Sequence, residues 1–412
     1  MFPVIVLFAV FLLTAVRQVR GFRFEIWQVM CAGAAAVLVS GDIKPAYAAR
    51  AIDPDVLVFL FGMFAAGQVL ELSGWLAHAK YEVFKRARTE EGLLFILVFF
   101  MGIASALLMN DTLAIVGTPV ALLLARKHDI SPKALLLALA FSITVGSVMS
   151  PIGNPQNLLV AVKGELAAPF LTFLKYLAVP TLLNLGAVFL VVRYFYREEF
   201  QKVELKHSQE PVKDKELARL AKVTAGVLAV MIGAKVLLVS VDPALDFRLT
   251  WIALAAAAPG LLLSRRRLEI IRKVDWSTLA FFAGMFVLMQ AVWDTGFFQT
   301  LISRSGVNIA GLGPVMAVSV VMSQLISNVP LVALYLPVLQ HAGAGTPELM
   351  ALAAASTFAG NLFILGAASN VIIIQNAERK AGQTITFLEF ARAGLPLTAI
   401  NAIIYWVFLK FM

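Results

Sequence analysis

The chain has 412 residues, of which 60% are hydrophobic and 14% are charged, and its mean hydropathy is +0.86. A soluble domain has about 45–50% apolar and about 25% charged residues, so the composition excludes a soluble enzyme, a nucleic-acid binder or a disordered chain as the whole protein. The net charge of +9 is typical of basic residues collected in cytoplasmic loops. A single cysteine, Cys31, and four histidines exclude a disulfide framework and a cysteine-built metal centre, so no metal or cofactor is expected.

The predicted elements are membrane-spanning helices, because a span needs about 20 apolar residues. The first span has its arginines after it rather than before it, which indicates a retained helix and not a cleaved signal peptide. Ten spans are predicted in chain order, at residues 3–17, 24–41, 54–73, 133–163, 170–193, 222–241, 249–264, 275–293, 348–375 and 388–411. Two further apolar stretches, 92–125 and 309–341, contain a polar break near the middle, and we interpret them as re-entrant hairpins.

The basic residues predict the orientation of these spans. If the amino terminus lies outside and both hairpins are re-entrant, the cytoplasmic segments contain 26 of the 34 lysines and arginines. Such an excess is what the positive-inside rule requires. The sequence therefore predicts a multi-pass protein of the inner membrane of a prokaryote. Its cytoplasmic segments are 17–23, 76–91, 126–133, 193–222, 265–273 and 379–392.

An internal repeat is visible in three segments, which recur in the same order. Residues 53–64 match 275–286 at an offset of 222, and two later pairs of segments match at offsets of 218 and 213. Matches recurring in order at similar offsets indicate a duplication. The matched residues of the later pairs are Asn110 and Pro119 with Asn328 and Pro337, and Thr144, Gly153 and Asn157 with Thr357, Gly366 and Asn370.

Each half then has five spans and one hairpin, and because five is odd the second half enters the membrane the opposite way round. The predicted fold is an all-α polytopic membrane protein with an inverted-topology repeat. It has about ten transmembrane helices, two re-entrant hairpins and two broken helices. Residues 1–196 form the first repeat with hairpin 92–125, residues 197–219 a charged cytoplasmic linker, and residues 220–412 the second repeat with hairpin 309–341.

Four polar breaks interrupt the apolar segments, at 109–112, 150–157, 327–330 and 366–370. Irregular backbone is tolerated at membrane depth only where protein or a water-filled cavity surrounds it. Broken helix ends direct unpaired N–H and C=O groups at a ligand, and Asn, Ser and Thr side chains add neutral donors and acceptors. We therefore expect the two hairpin tips to meet the two broken helices. The candidate substrate-binding residues are Asn110, Thr112, Gly153, Asn154, Asn157, Ser327, Asn328, Gly366, Ser369 and Asn370.

Asp111 is the one carboxylate at these four breaks. An ionisable group inside a membrane is costly and marks a functional candidate, so we predict that Asp111 binds a coupling proton or cation. The alternative is a carboxylate that caps nearby backbone N–H groups. Val329 follows the equivalent asparagine in the second half, so any chemistry of Asp111 breaks the symmetry.

At these motifs the sequence resembles the ion transporter superfamily, most nearly its arsenite permease and sodium/proton antiporter branch. The resemblance covers about residues 24–410 and implies that the hairpin tips and helix breaks form the site. Two departures stand out: Thr112 occupies a position where that branch usually has glycine, and the Pro-Ile-Gly break lies in the first half. The residues that carry the resemblance are Asn110-Asp111-Thr112 with Pro119, Pro151-Ile152-Gly153 with Asn157, Ser327-Asn328-Val329-Pro330, and Gly366 with Ser369-Asn370.

The charge of the site favours a neutral substrate. A dianion would be repelled by Asp111, with no Lys or Arg nearby in sequence to offset it, whereas a neutral polyhydroxy acid suits a ring of Asn, Ser and Thr. We therefore expect a secondary active transporter, not an enzyme, that exports arsenite or antimonite by alternating access with coupling to protons or to the membrane potential. Alternatives are a transporter of sulfate or di- and tricarboxylates, a sodium/proton antiporter and a channel-like pore.

The expected partners follow from this function. They are the small solute, a proton or sodium ion and the lipid bilayer, with no nucleic acid. A homodimer and a soluble ATPase subunit are left open as further partners.

Overall fold

The computed structural model of the chain consists of α-helices and one two-stranded antiparallel ribbon, in which Gln18–Val19 pairs with Phe22–Arg23. The residues that the structure describes are 1–16, 18–19, 22–23, 25–73, 84, 87–200, 215–241, 247–297, 300, 309–326 and 328–412.

Eighteen α-helices lie within the described residues. They are α1 Phe2–Val16, α2 Ile26–Val39, α3 Pro45–Ala51, α4 Pro54–Ser73, α5 Glu90–Leu108, α6 Asn110–His128, α7 Pro132–Ser147, α8 Pro155–Lys163, α9 Pro169–Phe195, α10 Lys215–Val241, α11 Leu249–Ala258, α12 Arg267–Lys273, α13 Trp276–Asp294, α14 Leu312–Ile326, α15 Asn328–His341, α16 Thr346–Phe358, α17 Ala368–Ala381 and α18 Phe387–Lys410. Shorter turns are a π-helical extension of α11, Pro259–Leu263, and the 3-10 turns Arg197–Glu199, Ala359–Asn361 and Ile364–Gly366.

Six of the described helices are long and apolar enough to cross a membrane, which agrees with the predicted multi-pass helical protein. They are α4, α5, α9, residues Glu216–Leu238 of α10, α13 and α18. Four shorter apolar helices, Trp27–Val39, Pro132–Ser147, Leu249–Leu263 and Leu312–Gln324, account for further predicted spans or parts of them. The total of ten spans stays a prediction.

Helix α10 includes the last residues of the predicted cytoplasmic linker 197–219, and the extent of that linker stays a prediction. Helix α10 begins at Lys215, because Leu217, Leu220 and Ala221 are spaced as one face of a helix and all three are buried. Residues 215–219 therefore belong to the first turns of α10, and residues 201–214 lie outside the described part of the chain.

Both broken apolar stretches form helical hairpins. In the second, the Tyr335 hydroxyl on α15 donates to the Ile309 carbonyl just before α14, at 2.6 Å, so the two arms run side by side. In the first, Glu91 at the start of α5 pairs with Arg193 at 2.8 Å. The N–H of Ser131, just after α6, donates to Glu199 at 2.9 Å. Both contacts lie at the carboxyl end of α9, so this hairpin also starts and ends on one side.

The two hairpins enter the bundle from opposite ends. Helices α9 and α18 pack antiparallel, since Asn184 contacts Asn401 while Arg392, at the start of α18, lies over the ring of Phe195 at the end of α9. The base of the first hairpin lies at that end of the pair. The base of the second lies at the other end, where α14 begins beside Trp406. This is the geometry that an inverted repeat requires; the duplication itself stays a prediction.

Packing is exchanged between the halves. Helix α2 packs against α13 and α11 against α4, while α6 packs against α17 and α15 against α8. Because lipid tails are as apolar as the core, close backbone approach drives such packing. One example is the α4–α11 contact, where a Cβ added to Gly62 would lie 2.8 Å from the Ala253 carbonyl oxygen. The exchanged contacts bring the breaks of both halves to the middle of the bundle.

Candidate functional site

The first helix break lies between α7, which ends at Ser147, and α8, which begins at Pro155. Proline provides a rigid first helical residue, and Asn154 caps α8 by accepting the N–H of Asn157 at 2.8 Å. The backbone folds back tightly here, because a Cβ added to Gly153 would lie 2.2 Å from the Ser147 carbonyl oxygen. The helices are interrupted at residues 148–154, which overlaps the predicted break at 150–157.

The amide side chains of the first break are hydrogen-bonded within the protein. Asn157 Nδ2 lies within reach of three carbonyl oxygens of the break, those of Ser147 at 3.1 Å, Val148 at 3.2 Å and Ser150 at 3.0 Å. Its Oδ1 lies 3.2 Å from Thr357 Oγ1, whose single hydrogen is shared with the Ala353 carbonyl at 2.8 Å. Both Asn157 and Thr357 are almost fully buried. A residue of the second half therefore closes the first break.

Thr357 also accepts hydrogen bonds from two other residues of this break. Asn154 Nδ2 and Gln156 Nε2 each lie 3.2 Å from Thr357 Oγ1, and Asn154 Nδ2 also donates to Ser147 Oγ at 3.0 Å. The hydroxyl of Thr357 thus lies at the centre of a buried polar network.

The tip of the first hairpin rests on this break. Met109 joins α5 to α6 with φ +63°, a conformation that non-glycine residues seldom adopt and that is found at ligand clamps. The next N–H, of Asn110, donates to the Gly153 carbonyl at 2.9 Å. Thr112 is buried against α4, where a Cβ on Gly67 would lie 2.9 Å from its side chain. Asn110 and Gly153 are therefore in contact, whereas the Thr112 side chain packs against α4; their role in binding stays a prediction.

Asp111 begins the same hairpin arm and is partly exposed. Its backbone N–H donates to Asn110 Oδ1 at 2.9 Å, but among the described residues its carboxylate has neither a hydrogen-bond donor nor an ion-pair partner. The capping of backbone N–H groups that we considered for this carboxylate is not observed, so the group is available to another species.

The second helix break is longer. Helix α16 ends at Phe358, two 3-10 turns follow, and α17 begins at Ala368. Gln324 on α14 donates to the Ala359 carbonyl at 2.8 Å, and Asn370 Nδ2 donates to the Gly360 carbonyl at 2.7 Å. A Cβ added to Gly366 would lie 2.8 Å from Gln324 Oε1. The second hairpin thus contacts the break of its own half, as the first hairpin does.

Unlike the first break, the second presents buried oxygens without hydrogen-bond partners among the described residues. An unpaired buried polar group is rare and needs an explanation. Exchanging the O and N atoms of the Asn and Gln side-chain amides does not remove it, because one amide atom lacks a hydrogen-bond partner in either orientation. The oxygens are Asn361 Oδ1, Ser369 Oγ and Asn370 Oδ1 at the break and Gln324 Oε1 and Asn328 Oδ1 on the second hairpin.

The two breaks differ at one equivalent threonine pair. Thr144 matches Thr357 in the repeat, and it is buried near the second break, with its methyl group 3.5 Å from a Cβ added to Gly360. Yet Thr144 Oγ1 has no partner among the described residues, and neither has Asn370 Oδ1. The bond between Thr357 and Asn157 is thus not repeated between Thr144 and Asn370.

Sequence reasoning located the breaks but omitted several participants. Thr357 and Gln324 contribute side chains that are not among the candidate binding residues. The match of Thr144 to Thr357 in the repeat is the sequence feature that pointed to Thr357. Ser327 lies outside the described residues, so its predicted role is not addressed.

Comparison with known proteins is consistent with this architecture. A family model described as citrate transporter (CitMHS) matches residues 8–355. Uncharacterized transporter Rv2684 of Mycobacterium tuberculosis is 31% identical over 408 residues, with 92% of each chain covered. The silicon efflux transporter LSI3 of Oryza sativa is 26% identical over 437 residues, with 89% of each covered.

Among solved structures, the YdaH transporter of Alcanivorax borkumensis superposes with a TM-score of 0.61 at 17% identity, covering 100% of this chain and 97% of that one. At this identity the likeness concerns the fold. The family match over residues 8–355 and the 31% identity to the mycobacterial transporter show that the chain belongs to the citrate transporter (CitMHS) family of the ion transporter superfamily and is a multi-pass membrane transporter.

Proposed function

We propose that the protein is a secondary active transporter that exports a small, undissociated metalloid acid, arsenite or antimonite, across the inner membrane. The observation that carries the proposal is the set of buried, unpaired oxygens at the second break and the second hairpin. Leaving such groups unpaired costs about 1–3 kcal/mol each, and a ligand with several O–H donors would relieve that cost. Arsenous acid carries three hydroxyl groups and no charge at neutral pH.

Similarity supports a neutral hydroxy acid as the substrate. The rice relative is named for silicon efflux, and silicic acid is also an uncharged compound with several hydroxyl groups. The four breaks contain no lysine or arginine, so an anion would meet Asp111 without a compensating cation in these segments. The two kinds of evidence, one from a relative and one from charge, favour the same class of substrate.

Coupling is assigned to Asp111. Its carboxylate is partly exposed beside the first hairpin tip and has no partner among the described residues, so a proton or cation can reach it. Binding there would favour one of two access states, and the two hairpins would carry the site between them. The inverted repeat, the external amino terminus, the cytoplasmic linker, and a homodimer or an ATPase subunit as partner belong to this proposal.

The test is solute flux into vesicles containing the purified protein. We expect arsenite to enter with saturable kinetics and the protein to raise arsenite tolerance in a sensitive bacterium. Asn328→Ala should lower the flux at least tenfold without changing the melting temperature, because no hydrogen bond of its side chain to a described residue is lost. Thr224→Val is the control, since it removes an equally buried, unpaired oxygen outside the breaks. Absence of arsenite flux and of rescue would refute arsenite as the substrate.

The coupling role has its own test. Flux driven by an imposed pH gradient should depend on the gradient in the wild-type protein and lose that dependence in Asp111→Asn. Equal dependence in both proteins, or in neither, would show that Asp111 does not couple transport.

A second candidate is citrate, which the description of the family model favours. A carboxylate substrate would be recognised by saturable citrate flux that arsenite does not inhibit, and by stabilisation of the purified protein by citrate. Measuring both solutes in the same vesicles decides between the two candidates.

A further inference from the structure

A chain of three buried asparagines joins the second helix break to the long helices α18 and α9. Asn361 Nδ2 donates to Asn401 Oδ1 at 3.1 Å, and Asn401 Nδ2 donates to Asn184 Oδ1 at 2.7 Å. Asn184 Nδ2 in turn donates to the Pro180 carbonyl at 2.9 Å. All three asparagines are fully buried, so no contact with solvent accounts for them.

Two of the three asparagines are repeat equivalents. Thr181 and Asn184 on α9 match Thr398 and Asn401 on α18 at a single offset of 217. The bond between the two asparagines therefore joins equivalent points of the two halves, where α9 and α18 cross. An amide pair of this kind specifies one register, because a shifted helix would leave buried amides unpaired.

The third asparagine breaks the symmetry. The position equivalent to Asn361 in the first half is Val148, at the offset of 213 that relates the two breaks, and valine cannot form this bond. Helix α18 also approaches the second break unusually closely, because a Cβ added to Gly394 would lie 2.1 Å from the Asn361 carbonyl oxygen. The equivalent of Gly394 on α9 is Leu177. Among the described residues, the second break has this anchor and the first does not.

We propose that Asn184, Asn401 and Asn361 are positioning residues that hold the second break at a fixed place on the α9–α18 pair. The hydrogen bonds between the side-chain amides fix the position of the 3-10 turn Ala359–Asn361. The carbonyl oxygens of that turn accept hydrogen bonds from Gln324 and Asn370. The orientation of the unpaired oxygens at this break therefore depends on an interaction with the opposite half. The first break is held instead by its own hydrogen bonds and by Thr357.

Hydrogen exchange of the purified full-length protein tests this without a substrate. Asn401→Leu removes two links, and we expect the amides of residues 359–370 to exchange about threefold to thirtyfold faster, the range for one interhelical bond in a membrane protein. Ser105→Ala is the matched control. It removes the buried 2.6 Å bond from α5 to the Ile143 carbonyl on α7, which is separate from the asparagine chain, and should leave exchange of 359–370 unchanged.

Three results would overturn the proposal: equal exchange of 359–370 in both variants, faster exchange spread over the whole molecule, or unchanged exchange in Asn401→Leu. If Asn401→Leu does not fold, Asn361→Ala, which removes only the last link, is measured against the same criteria. A flux measurement gives a second readout, with arsenite as the probe: Asn361→Ala should raise KM threefold or more with Vmax retained. If the wild-type protein transports arsenite and Asn361→Ala has an unchanged KM, the anchor does not serve the site. If the wild-type protein does not transport arsenite, that result counts against the proposed substrate only.

Discussion

Replacing Asn157 by alanine should destabilise the protein far more than the same replacement of its repeat counterpart, Asn370. Asn157 donates through Nδ2 toward three carbonyl oxygens at 3.0–3.2 Å and accepts from Thr357. Because an amide nitrogen carries two hydrogens, the side chain forms about three bonds in all. At about 0.5–1.5 kcal/mol each the loss is about 1.5–4.5 kcal/mol, and the average of about 0.6 kcal/mol in membrane proteins places it nearer the lower value.

Asn370 should behave differently. Its side chain makes one bond, to the Gly360 carbonyl at 2.7 Å, and its buried Oδ1 has no partner among the described residues. Alanine removes a bond of about 0.5–1.5 kcal/mol but also removes the unpaired oxygen, so the net change should be below about 1 kcal/mol.

The assay is reversible unfolding of both variants in mixed detergent micelles, with the free energy of unfolding compared with the wild-type value. We expect Asn157→Ala to lose at least about 1 kcal/mol more than Asn370→Ala. Arsenite flux should show the reverse order among folded molecules, with Asn370→Ala the more impaired. Equal destabilisation, or the larger loss at Asn370, would refute the assignment of the first break to structure and the second to binding.

Two other predictions concern packing and charge. Gly394→Ala should lower the free energy of unfolding by about 1–3 kcal/mol, because its Cβ would lie 2.1 Å from the Asn361 carbonyl oxygen. Gly186→Ala, whose Cβ would meet nothing within 4 Å, should raise the free energy of unfolding by about 0.5–1 kcal/mol. Thermal unfolding of both variants tests this prediction, and a loss of stability at both positions would contradict it. Lys133→Ala breaks a 2.5 Å ion pair with Glu389, in which both side chains are 35% exposed. The free energy of unfolding should therefore fall by less than about 1 kcal/mol, and by nothing measurable in high salt. A larger loss of stability that persists in high salt would show that solvent does not screen this pair.

The positions of the breaks were predictable because local chemistry determines them. Proline and glycine cannot continue a helix without cost, and polar side chains inside an apolar run need a partner. Residues 150–157 therefore identified the first break, and the asparagine at 110 the first hairpin tip. Helix α10 begins at Lys215, before the predicted membrane span 222–241, because buried leucines lie on the same face as its charged first turns.

The partners of those polar groups could not be predicted in the same way. Asn157 and Thr357 are 200 residues apart in the chain, and Asn184 and Asn401 are 217 apart. Such pairs depend on how the halves pack, which the periodicity of a single segment does not contain. The recurrence of Thr and Asn at one spacing in α9 and α18 was the available signal, and it was not used.

The two breaks differ in how their threonine and asparagine side chains are paired, and this difference bears on the proposed ligand site. In the first break the amide of Asn157 has partners within the protein: three carbonyl oxygens near Nδ2 and, at 3.2 Å from Oδ1, the Thr357 hydroxyl, whose hydrogen is shared with the Ala353 carbonyl. The equivalent pair, Thr144 and Asn370, has the same chemistry, yet both oxygens are buried without a partner among the described residues. A hydroxyl group of a bound acid could donate to Asn370 Oδ1 and accept from Thr144, which is the role that Thr357 fills in the other half. Because the first break is already satisfied, differential binding between access states would arise at the second break, where the bond between the threonine and the asparagine is missing.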